Sequence, residues 1–237
     1  MIKRIAYITD IHIDEEFPKT VGVDGRQNWE TILEDVASRN IDEVIYGGDI
    51  GERSSNFWFF ESLKNYTVSI SLGNHDDFSE VIKHYKNDAY KNAEALFYSE
   101  ENNFFKFIYL DSSTEFISDK QLMWLQKELI TIKKILLFIH HPILKIPTII
   151  DQKFYLKGRE KIQALLEQTS NDITIFCGHY HMEDYRTYKN ISQFVTPAGS
   201  YQVEKNLEEI KVNNKTFGYR IIELTKDKMD TEVVLFE

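Results

Sequence analysis

The sequence has little of several features that define other classes of protein. It contains one cysteine, Cys177, in 237 residues, so no internal disulfide can form and no thiolate metal cluster is available. We therefore expect a reducing, cytoplasmic setting and a small, buried Cys177. No apolar run approaches the length that crosses a bilayer, and the apolar stretch before Asp10 is too short for the core of a signal peptide.

Basic charge is scarce as well. The 28 lysines and arginines are outnumbered by 38 aspartates and glutamates, which leaves a formal net charge of -10. Such a surface repels a phosphate backbone or an anionic membrane unless a local basic patch overrides it, and the sequence has no basic run. We therefore expect neither a nucleic-acid partner nor a membrane partner.

Apolar material, in contrast, is plentiful. Apolar residues make up 42% of the chain and aromatic residues 14%, enough to fill a sizeable core. The sequence has no internal repeat, low-complexity tract or Pro/Gly/Ser-rich linker, so the simplest organisation is one domain over residues 1–237. The two longest irregular stretches, 13–26 and 142–156, are either the rims of a site or simple surface loops.

Hydrophobic periodicity predicts alternating strands and helices in the first half and a tail rich in strands. Strands are expected at 3–9, 42–47, 67–72, 95–100, 104–110, 134–140, 172–177, 183–188, 192–196, 217–224 and 230–236. Helices are expected at 27–39, 55–65, 78–86, 118–130 and 157–168. Alternation indicates parallel β-α-β units, whereas turn residues at 100–103 and 189–190 indicate antiparallel hairpins. A mixed sheet, or two sheets packed together, follows.

Six of the seven histidines lie at the carboxyl ends of predicted strands. They are His12, His75, His140, His141, His179 and His181. One histidine in such a place is usually packed or solvated, but neighbouring strand ends converge on a crevice in open α/β sheets, so six together indicate a shared site. Asp10, Asp49 and Asn74 lie at the same ends. This nitrogen and oxygen donor set, without sulfur, suits Zn, Mn or Fe.

Five motifs in this order resemble the calcineurin-like metallophosphoesterases. They are DxH at 10–12, GDxxE at 48–52, GNHD at 73–76, HH at 140–141 and GHxH at 178–181. The resemblance implies a four-layer α/β/β/α sandwich of two mixed β-sheets flanked by helices. It also implies two divalent or mixed-valence ions, one held by Asp10, His12, Asp49 and His181 and the other by Asp49, Asn74, His140 and His179.

A closer branch is suggested by the segment 110–129, LDSSTEFISDKQLMWLQKEL, before the HH motif. It is similar to the class III cyclic nucleotide phosphodiesterases and the glycerophosphodiesterases, although Gln121, Trp124 and Leu125 are equally typical of a helix face packed on a sheet. Two departures leave the substrate open. Leu156, Lys157 and Gly158 stand where the branch has a leucine, a variable residue and an asparagine, and GDIGER resembles the protein phosphatase form of its motif.

The resemblance implies a metal-dependent phosphoric ester hydrolase that attacks a small anionic phosphodiester with a metal-activated hydroxide. The first guess is a 3',5'-cyclic nucleotide. We expect His75, beside Asn74, to give the leaving group its proton, and Glu52 to orient His75. Arg53 is expected to hold a phosphate oxygen, or alternatively to form a surface ion pair with Glu52.

Two further expectations concern the surroundings of these residues. His141 and Asn74 are expected to line the substrate site. Asp76 and Asp77 are interpreted as caps of the helix that follows them.

Other functions remain open for this sequence. They are a phosphomonoesterase or protein phosphatase, a nuclease, and a non-catalytic metal-binding scaffold. The acidic balance argues against the nuclease, and the filled ligand positions argue against the scaffold. A homodimer is possible, because the run Phe57, Trp58 and Phe59 fits either a partner surface or a helix packed into the core.

Overall fold

The computed structural model describes residues 2–85, 93–206, 208–226 and 228–237. The strands are β1 Lys3–Ile8, β2 Glu43–Tyr46, β3 Thr67–Ile70, β4 Tyr98–Glu101, β5 Phe105–Tyr109, β6 Lys134–Phe138, β7 Ile173–Cys177, β8 Asp184–Tyr188, β9 Ile191–Val195, β10 Gln202–Val203, β11 Val212–Asn213, β12 Phe217–Leu224 and β13 Met229–Phe236. The helices are α1 Glu16–Thr20, α2 Gly25–Ser38, α3 Asn56–Ser62, α4 Phe78–Val81, α5 Asp119–Glu128, α6 Ile149–Phe154 and α7 Arg159–Glu167.

Two large mixed sheets form the centre of the molecule. Sheet I has the strand order β13-β12-β1-β2-β3. Strands β1, β2 and β3 are parallel to one another, and β12 is antiparallel to both of its neighbours, β1 and β13. Sheet II has the order β4-β5-β6-β7-β9-β8, with β5, β6, β7 and β9 parallel and the two outer strands antiparallel. The small strands β10 and β11 form an antiparallel pair of their own.

The two sheets pack face to face through aromatic side chains. The ring of Tyr7, on β1 of sheet I, lies 5.6 Å from Phe138 on β6 and 5.9 Å from Phe176 on β7 of sheet II. Because side chains alternate along a strand, the intervening residues of β6 and β7 face the other way. Leu137 and Ile175 belong to the separate core on the outer face of sheet II.

Helices cover the outer face of each sheet. The ring of Trp29, on α2, contacts Tyr46 of sheet I at 5.8 Å, and Phe59, on α3, contacts the same tyrosine at 4.7 Å. On sheet II, Leu125 of α5 and Ile162 of α7 are fully buried in the outer core. The result is the predicted α/β/β/α sandwich. In the aromatic run of α3, Phe59 is buried in the core and Trp58 packs partly against it, whereas Phe57 is 63% exposed.

Every predicted strand has a counterpart, and the differences lie in short elements. The stretches predicted to be irregular contain α1 and α6, which are too short to show helical periodicity. The helix predicted at 78–86 ends at Val81, and its residue 86 lies outside the described part of the chain. Cys177 is buried, as expected. In the described ranges, no helix is long and apolar enough to span a bilayer.

Candidate metal centre

The carboxyl ends of five parallel strands place polar side chains at one edge of the two sheets. We call this set the candidate metal centre. It comprises Asp10 and His12 after β1, Asp49 after β2, Asn74 after β3, His140 after β6, and His179 and His181 after β7. Strands β1, β2 and β3 belong to sheet I, whereas β6 and β7 belong to sheet II. Both sheets therefore contribute donors.

The backbone at these strand ends is strained. Asp10, His12, Asp49, His179 and His181 all have a positive φ, between 49° and 68°. Non-glycine residues rarely adopt this left-handed conformation, and they keep it only where the surrounding structure fixes them. The fold therefore holds these side chains in orientations that an unconstrained loop would not adopt.

A first cluster of donor atoms consists of Asp10, His12 and His181. The two Nε2 atoms of His12 and His181 lie 3.1 Å apart, and His181 Nε2 lies 3.3 Å from Asp10 Oδ1. His12 Nε2 lies 3.9 Å from the same oxygen. The three side chains thus present their donor atoms to one point, as the side chains of a cation site do.

A second cluster consists of Asp49, His140 and His179, whose donor atoms lie within 4.8 Å of one another. His140 Nε2 is 3.2 Å from Asp49 Oδ2, and the same oxygen is 3.7 Å from His12 Nε2 of the first cluster. Asp49 therefore reaches both clusters. Asn74 Oδ1 is buried without a hydrogen-bond partner in the described residues. Buried polar atoms seldom lack partners, so this cradle fits a cation.

Backbone carbonyls fix which ring nitrogen faces the centre. His140 Nδ1 donates to Gly47 O at 2.9 Å, and His181 Nδ1 donates to Tyr201 O at 3.0 Å, which turns each Nε2 inward. His179 is held the other way round, since its Nε2 donates to Phe154 O at 2.9 Å. Such outer contacts are typical of metal-binding histidines, because they set the tautomer and the ring orientation.

The electrostatics of the centre also favour a cation. Asp10 and Asp49 are 0% and 2% exposed. Burial raises their pKa, but the neighbouring His140 outweighs it and keeps both carboxyls ionised, with the pKa well below its usual range. Burial in turn lowers the pKa of His140, and the two carboxylates raise it to about 10. A proton on His140 thus supplies positive charge that bound cations would replace.

Asp76 has a role that differs from the interpretation of the sequence. It does not cap α4; its carboxylate accepts the backbone N-H groups of Asp49, Ile50 and Gly73, at 2.8, 2.9 and 2.9 Å. Asp77 is the cap of α4, with an oxygen that accepts from Ser79 N at 2.9 Å. Asp76 therefore ties the loop after β2 to the loop after β3.

His75 has a different partner from the one expected. Its Nδ1 lies 3.1 Å from Glu15 Oε1, and Glu15 also lies 3.0 Å from His12 Nδ1. The hydrogen bond to Glu15 raises the pKa of His75 to about 9, against the effect of partial burial. The only sequence signal for Glu15 was its position three residues after His12.

Glu52 does not orient His75. Its side chain is exposed and makes no hydrogen bond or ion pair within the described ranges. The physical reason is the backbone: Gly51 pairs with Ile13 in a β-bridge, and Glu52 N donates to Ile13 O at 2.9 Å. That pairing directs the chain along the loop after β1 and leaves the Glu52 side chain in solvent.

Arg53 also has a different environment from the one expected. It is 69% exposed and pairs with Asp77 at 2.9 Å, so it neither joins Glu52 nor lines the cleft at the centre.

His141 is held in place by the LDS segment, residues 110–112, which follows β5. Its Nδ1 lies 2.9 Å from Ser112 Oγ, and its ring lies 4.0 Å from the ring of His179. Gln121, on α5, bonds Asp111 through both its amide atoms, at 2.7 and 2.9 Å, and so fixes the segment that carries Ser112. Ser112 and Gln121 both lie in the segment 110–129 that carries the sequence resemblance, but the sequence did not indicate that they position His141.

The family of the chain follows from a comparison of its sequence with known families. The model of the calcineurin-like phosphoesterase family matches residues 3–194, a span that includes the whole candidate metal centre. The chain therefore belongs to the calcineurin-like phosphoesterases and is a metal-dependent phosphoric ester hydrolase.

Individual relatives agree with this placement. A protein from Fibrobacter succinogenes, named "Probable cyclic nucleotide phosphodiesterase", is 27% identical over 240 residues, which cover 98% of this chain and 93% of the relative. A "Probable glycerophosphodiester phosphodiesterase GpdQ" from Arcobacter nitrofigilis is 30% identical over 182 residues, 71% of this chain and 67% of that protein. The crystal structure of a dimetal phosphatase from Danio rerio superimposes on this chain with a TM-score of 0.70 at 14% sequence identity. The superposition covers 99% of this chain and 98% of the phosphatase, so the two proteins share a fold.

Proposed function

We propose that this chain hydrolyses a small anionic phosphodiester, with a 3',5'-cyclic nucleotide as the first candidate. The observation that carries the proposal is the convergence of two buried carboxylates, Asp10 and Asp49, with four imidazoles at one edge of the sheets. The choice of a cyclic nucleotide is supported by the Fibrobacter succinogenes relative, which aligns with 98% of this chain.

In this proposal the candidate metal centre would hold two ions of Mn, Fe or Zn. Asp10, His12, Asp49 and His181 would hold one, and Asp49, Asn74, His140 and His179 would hold the other. When bound, such a pair lowers the pKa of water from about 15.7 to near 7 and neutralises charge on the phosphoryl oxygens. Asp10 and Asp49 supply only two negative charges, so the loaded centre stays positive and attracts an anionic ester.

His75 is proposed to give the leaving alkoxide its proton. It lines the cleft beside Asn74, and its Nδ1 is occupied by Glu15, which leaves Nε2 for the cleft. A histidine held by a carboxylate in this way keeps one tautomer and one orientation, as a general acid requires. Glu15 takes the orienting role first expected of Glu52.

His141 and Asn74 are proposed to contact the substrate. His141 lines the cleft on the side of His179, and Ser112 fixes its ring from behind. Ser112 Oγ accepts the backbone N-H of His141 at 3.4 Å, so its own hydrogen is free to bond Nδ1. His141 Nε2 then carries a hydrogen and donates into the cleft, toward an ester oxygen. Arg53 has no part in this proposal, because Asp77 engages it away from the cleft.

A parallel substrate screen tests the proposal. Metal-loaded protein is assayed with 3',5'-cyclic nucleotides, glycerophosphodiesters, phosphomonoesters and short single-stranded nucleic acids. We expect the highest kcat/KM on a cyclic nucleotide. Glycerophosphodiesters are the second candidate, because the relative at 30% identity carries that name. The variant His140→Ala is the control, since a contaminating phosphodiesterase would survive it.

The outcomes of the screen separate the remaining possibilities. Preference for monoesters or single strands would replace the diester proposal with a phosphatase or nuclease. Two bound ions without cleavage of any phosphoester would favour a metal-binding scaffold and contradict the proposal.

A further inference from the structure

The cleft in front of the candidate metal centre has two branches of different chemistry. One branch, of about 360 Å³, extends over His12, His75 and His181, and the other, of about 410 Å³, extends over His141. Both open beside Asn74, Glu115, Phe154 and His179. We call them the apolar branch and the polar branch.

The apolar branch has one wall on the β10 and β11 pair. Tyr201 precedes β10, Val203 lies on it, Ile210 precedes β11 and Val212 lies on it, and all four line the branch. Among the described residues, Glu115 is its one charged lining side chain outside the candidate metal centre and His75. A pocket of this volume with apolar walls and polar groups at one end is typical of a small-molecule site.

The opposite wall comes from α1 and α6. Phe17 on α1 is 49% exposed, Phe154 on α6 is 50% exposed, and Ile210 across the branch is 40% exposed. The Phe17 ring packs edge-on against Tyr201 at 5.5 Å, and Tyr201 packs on His181 at 4.4 Å. An aromatic surface thus runs from the centre to the rim. Large apolar side chains left in water beside a reactive centre indicate a ligand that covers them.

The polar branch is more highly charged. It is lined by Lys153, Lys157 and Glu115, and Lys157 pairs with Glu115 at 3.0 Å. These charged groups suit hydroxyl groups or water, although the aromatic Phe154 and Tyr155 also line this branch. The two branches can therefore sort the parts of one substrate by polarity.

We propose that the apolar branch binds the faces of a planar ring of the substrate, a nucleobase, and so selects a nucleotide ester over a glycerol-based one. This inference rests on the proposed function, because it takes the phosphate to lie at the metal centre. Apolar side chains stack on any base face without reading its edges, so discrimination among bases is expected to be small.

Direct binding measurements test the inference without turnover. Titration calorimetry of the metal-loaded protein compares adenosine 5'-monophosphate with ribose 5-phosphate, which carry the same phosphate and differ by the base. Stacking of one base corresponds to roughly tenfold or more in affinity, so we expect at least that ratio in favour of the nucleotide. A ratio near one would overturn the inference.

Two variants locate the effect. Phe17→Ala and Ile210→Ser are each expected to lower the ratio several-fold, because they weaken binding of the nucleotide and leave binding of ribose 5-phosphate unchanged. Both side chains are partly exposed, so neither substitution opens a cavity in the core. Phe104→Ala and Ile132→Ser, at side chains 41% and 102% exposed outside the cleft, are matched controls and should keep the full ratio. Equal weakening of both ligands, or an unchanged ratio in the cleft variants, would contradict a base site.

The two proposals fail in different ways. If the ratio is near one but diesters are cleaved, the base site is wrong and the hydrolase proposal stands. If the ratio is high but no diester is cleaved, the hydrolytic proposal is wrong and the base site stands.

Discussion

One carboxylate, Glu15, contacts two histidines with different proposed tasks. It lies 3.0 Å from His12, a donor of the candidate metal centre, and 3.1 Å from His75, the proposed proton donor. Burial raises the pKa of Glu15, but the two imidazoles outweigh it and lower the pKa to about 2. Glu15 is therefore an anion held between two rings, and its charge and its geometry both orient them.

The variant Glu15→Gln tests this arrangement at the level of one residue. It keeps the shape but removes the charge and one of the two acceptor oxygens, so His12 and His75 can no longer both donate to residue 15, and the anion that holds the tautomer of His75 is lost. Outer partners of this kind are worth about 10–100-fold in activity or metal affinity. We expect kcat on an alkyl diester to fall in that range, measured alongside metal content by elemental analysis.

Glu52→Gln is the comparison variant for Glu15→Gln. The Glu52 side chain is exposed and has no partner in the described ranges, so we expect kcat on the alkyl diester to change by less than about twofold, within the usual effect of a surface substitution. A larger loss of kcat in Glu52→Gln than in Glu15→Gln would show that Glu52, and not Glu15, orients His75.

His75→Ala tests the proton donor itself. General acids contribute about 10²–10⁴-fold, and the contribution matters most when the leaving group is a poor one. We expect a loss of that size on an alkyl diester and a much smaller loss on an activated aryl diester, with both ions retained. Equal losses on the two substrates would remove His75 from the acid role.

At the scale of elements, the loops after β2 and β3 are locked together. A Cβ atom added at Gly73 would lie 2.2 Å from Asp49 Oδ1, so the two loops approach too closely for any side chain at that position. The Asp76 carboxylate links the two loops further, because it accepts hydrogen bonds from backbone N-H groups of both loops. The position of Asp49, which is proposed to bridge the two ions, therefore depends on the joint between two strand ends.

Asp76→Asn tests this joint. The amide offers one acceptor oxygen where the carboxylate offered two, so at least one buried N-H group loses its partner at a cost of about 1–3 kcal/mol. For a chain of this length that corresponds to a fall in Tm of roughly 2–12 °C, with weaker metal binding in a titration.

The neighbouring Asp77→Asn is the matched control. Asparagine caps helices about as well as aspartate, so Tm should stay close to that of the unchanged protein. A similar fall of Tm in both variants would show that this loop is sensitive to any substitution. The hydrogen bonds of Asp76 would then not account for the link between the two loops.

At the scale of the whole molecule, the candidate metal centre joins the two sheets. Asp10, His12, Asp49 and Asn74 follow strands of sheet I, and His140, His179 and His181 follow strands of sheet II. Ions bound there would bridge both layers and bind only the folded chain. Ligands that bind only the native state stabilise it by mass action.

Metal loading is therefore expected to stabilise the entire fold. At a free metal concentration of 100 times the Kd, one site adds about 2.7 kcal/mol, which raises Tm by roughly 5–10 °C. Thermal melting with and without a chelator measures this shift. Asp49→Ala should abolish most of it, because Asp49 is proposed to serve both ions.

Asp35→Ala is the control for the melting experiment. Asp35, on α2 away from the centre, pairs with Arg39 and accepts a hydrogen bond from the hydroxyl of Tyr219. This variant should therefore lower the Tm of the metal-free protein but keep the full metal-dependent shift and two ions per chain. Two bound ions in Asp49→Ala would contradict the bridging role of Asp49.

The sequence by itself determined the fold class and the composition of the centre. The apolar runs of β6 and β7, the alternation of strand and helix, and the turn residues between β8 and β9 are local signals, because a few neighbouring residues carry each of them. The donor side chains could be predicted for the same reason: each follows directly on a strand, and parallel strands end at a common edge.

The tertiary structure alone decided the partners. Glu15 rather than Glu52 reaches His75 because the β-bridge between Ile13 and Gly51 sets the path of two loops distant in sequence. Asp76 accepts from the loop after β2 for the same reason, and the apolar branch exists only because α1, α6 and the β10 and β11 pair meet over the centre. Such contacts depend on the packing of separate elements, and no short stretch of sequence contains that information.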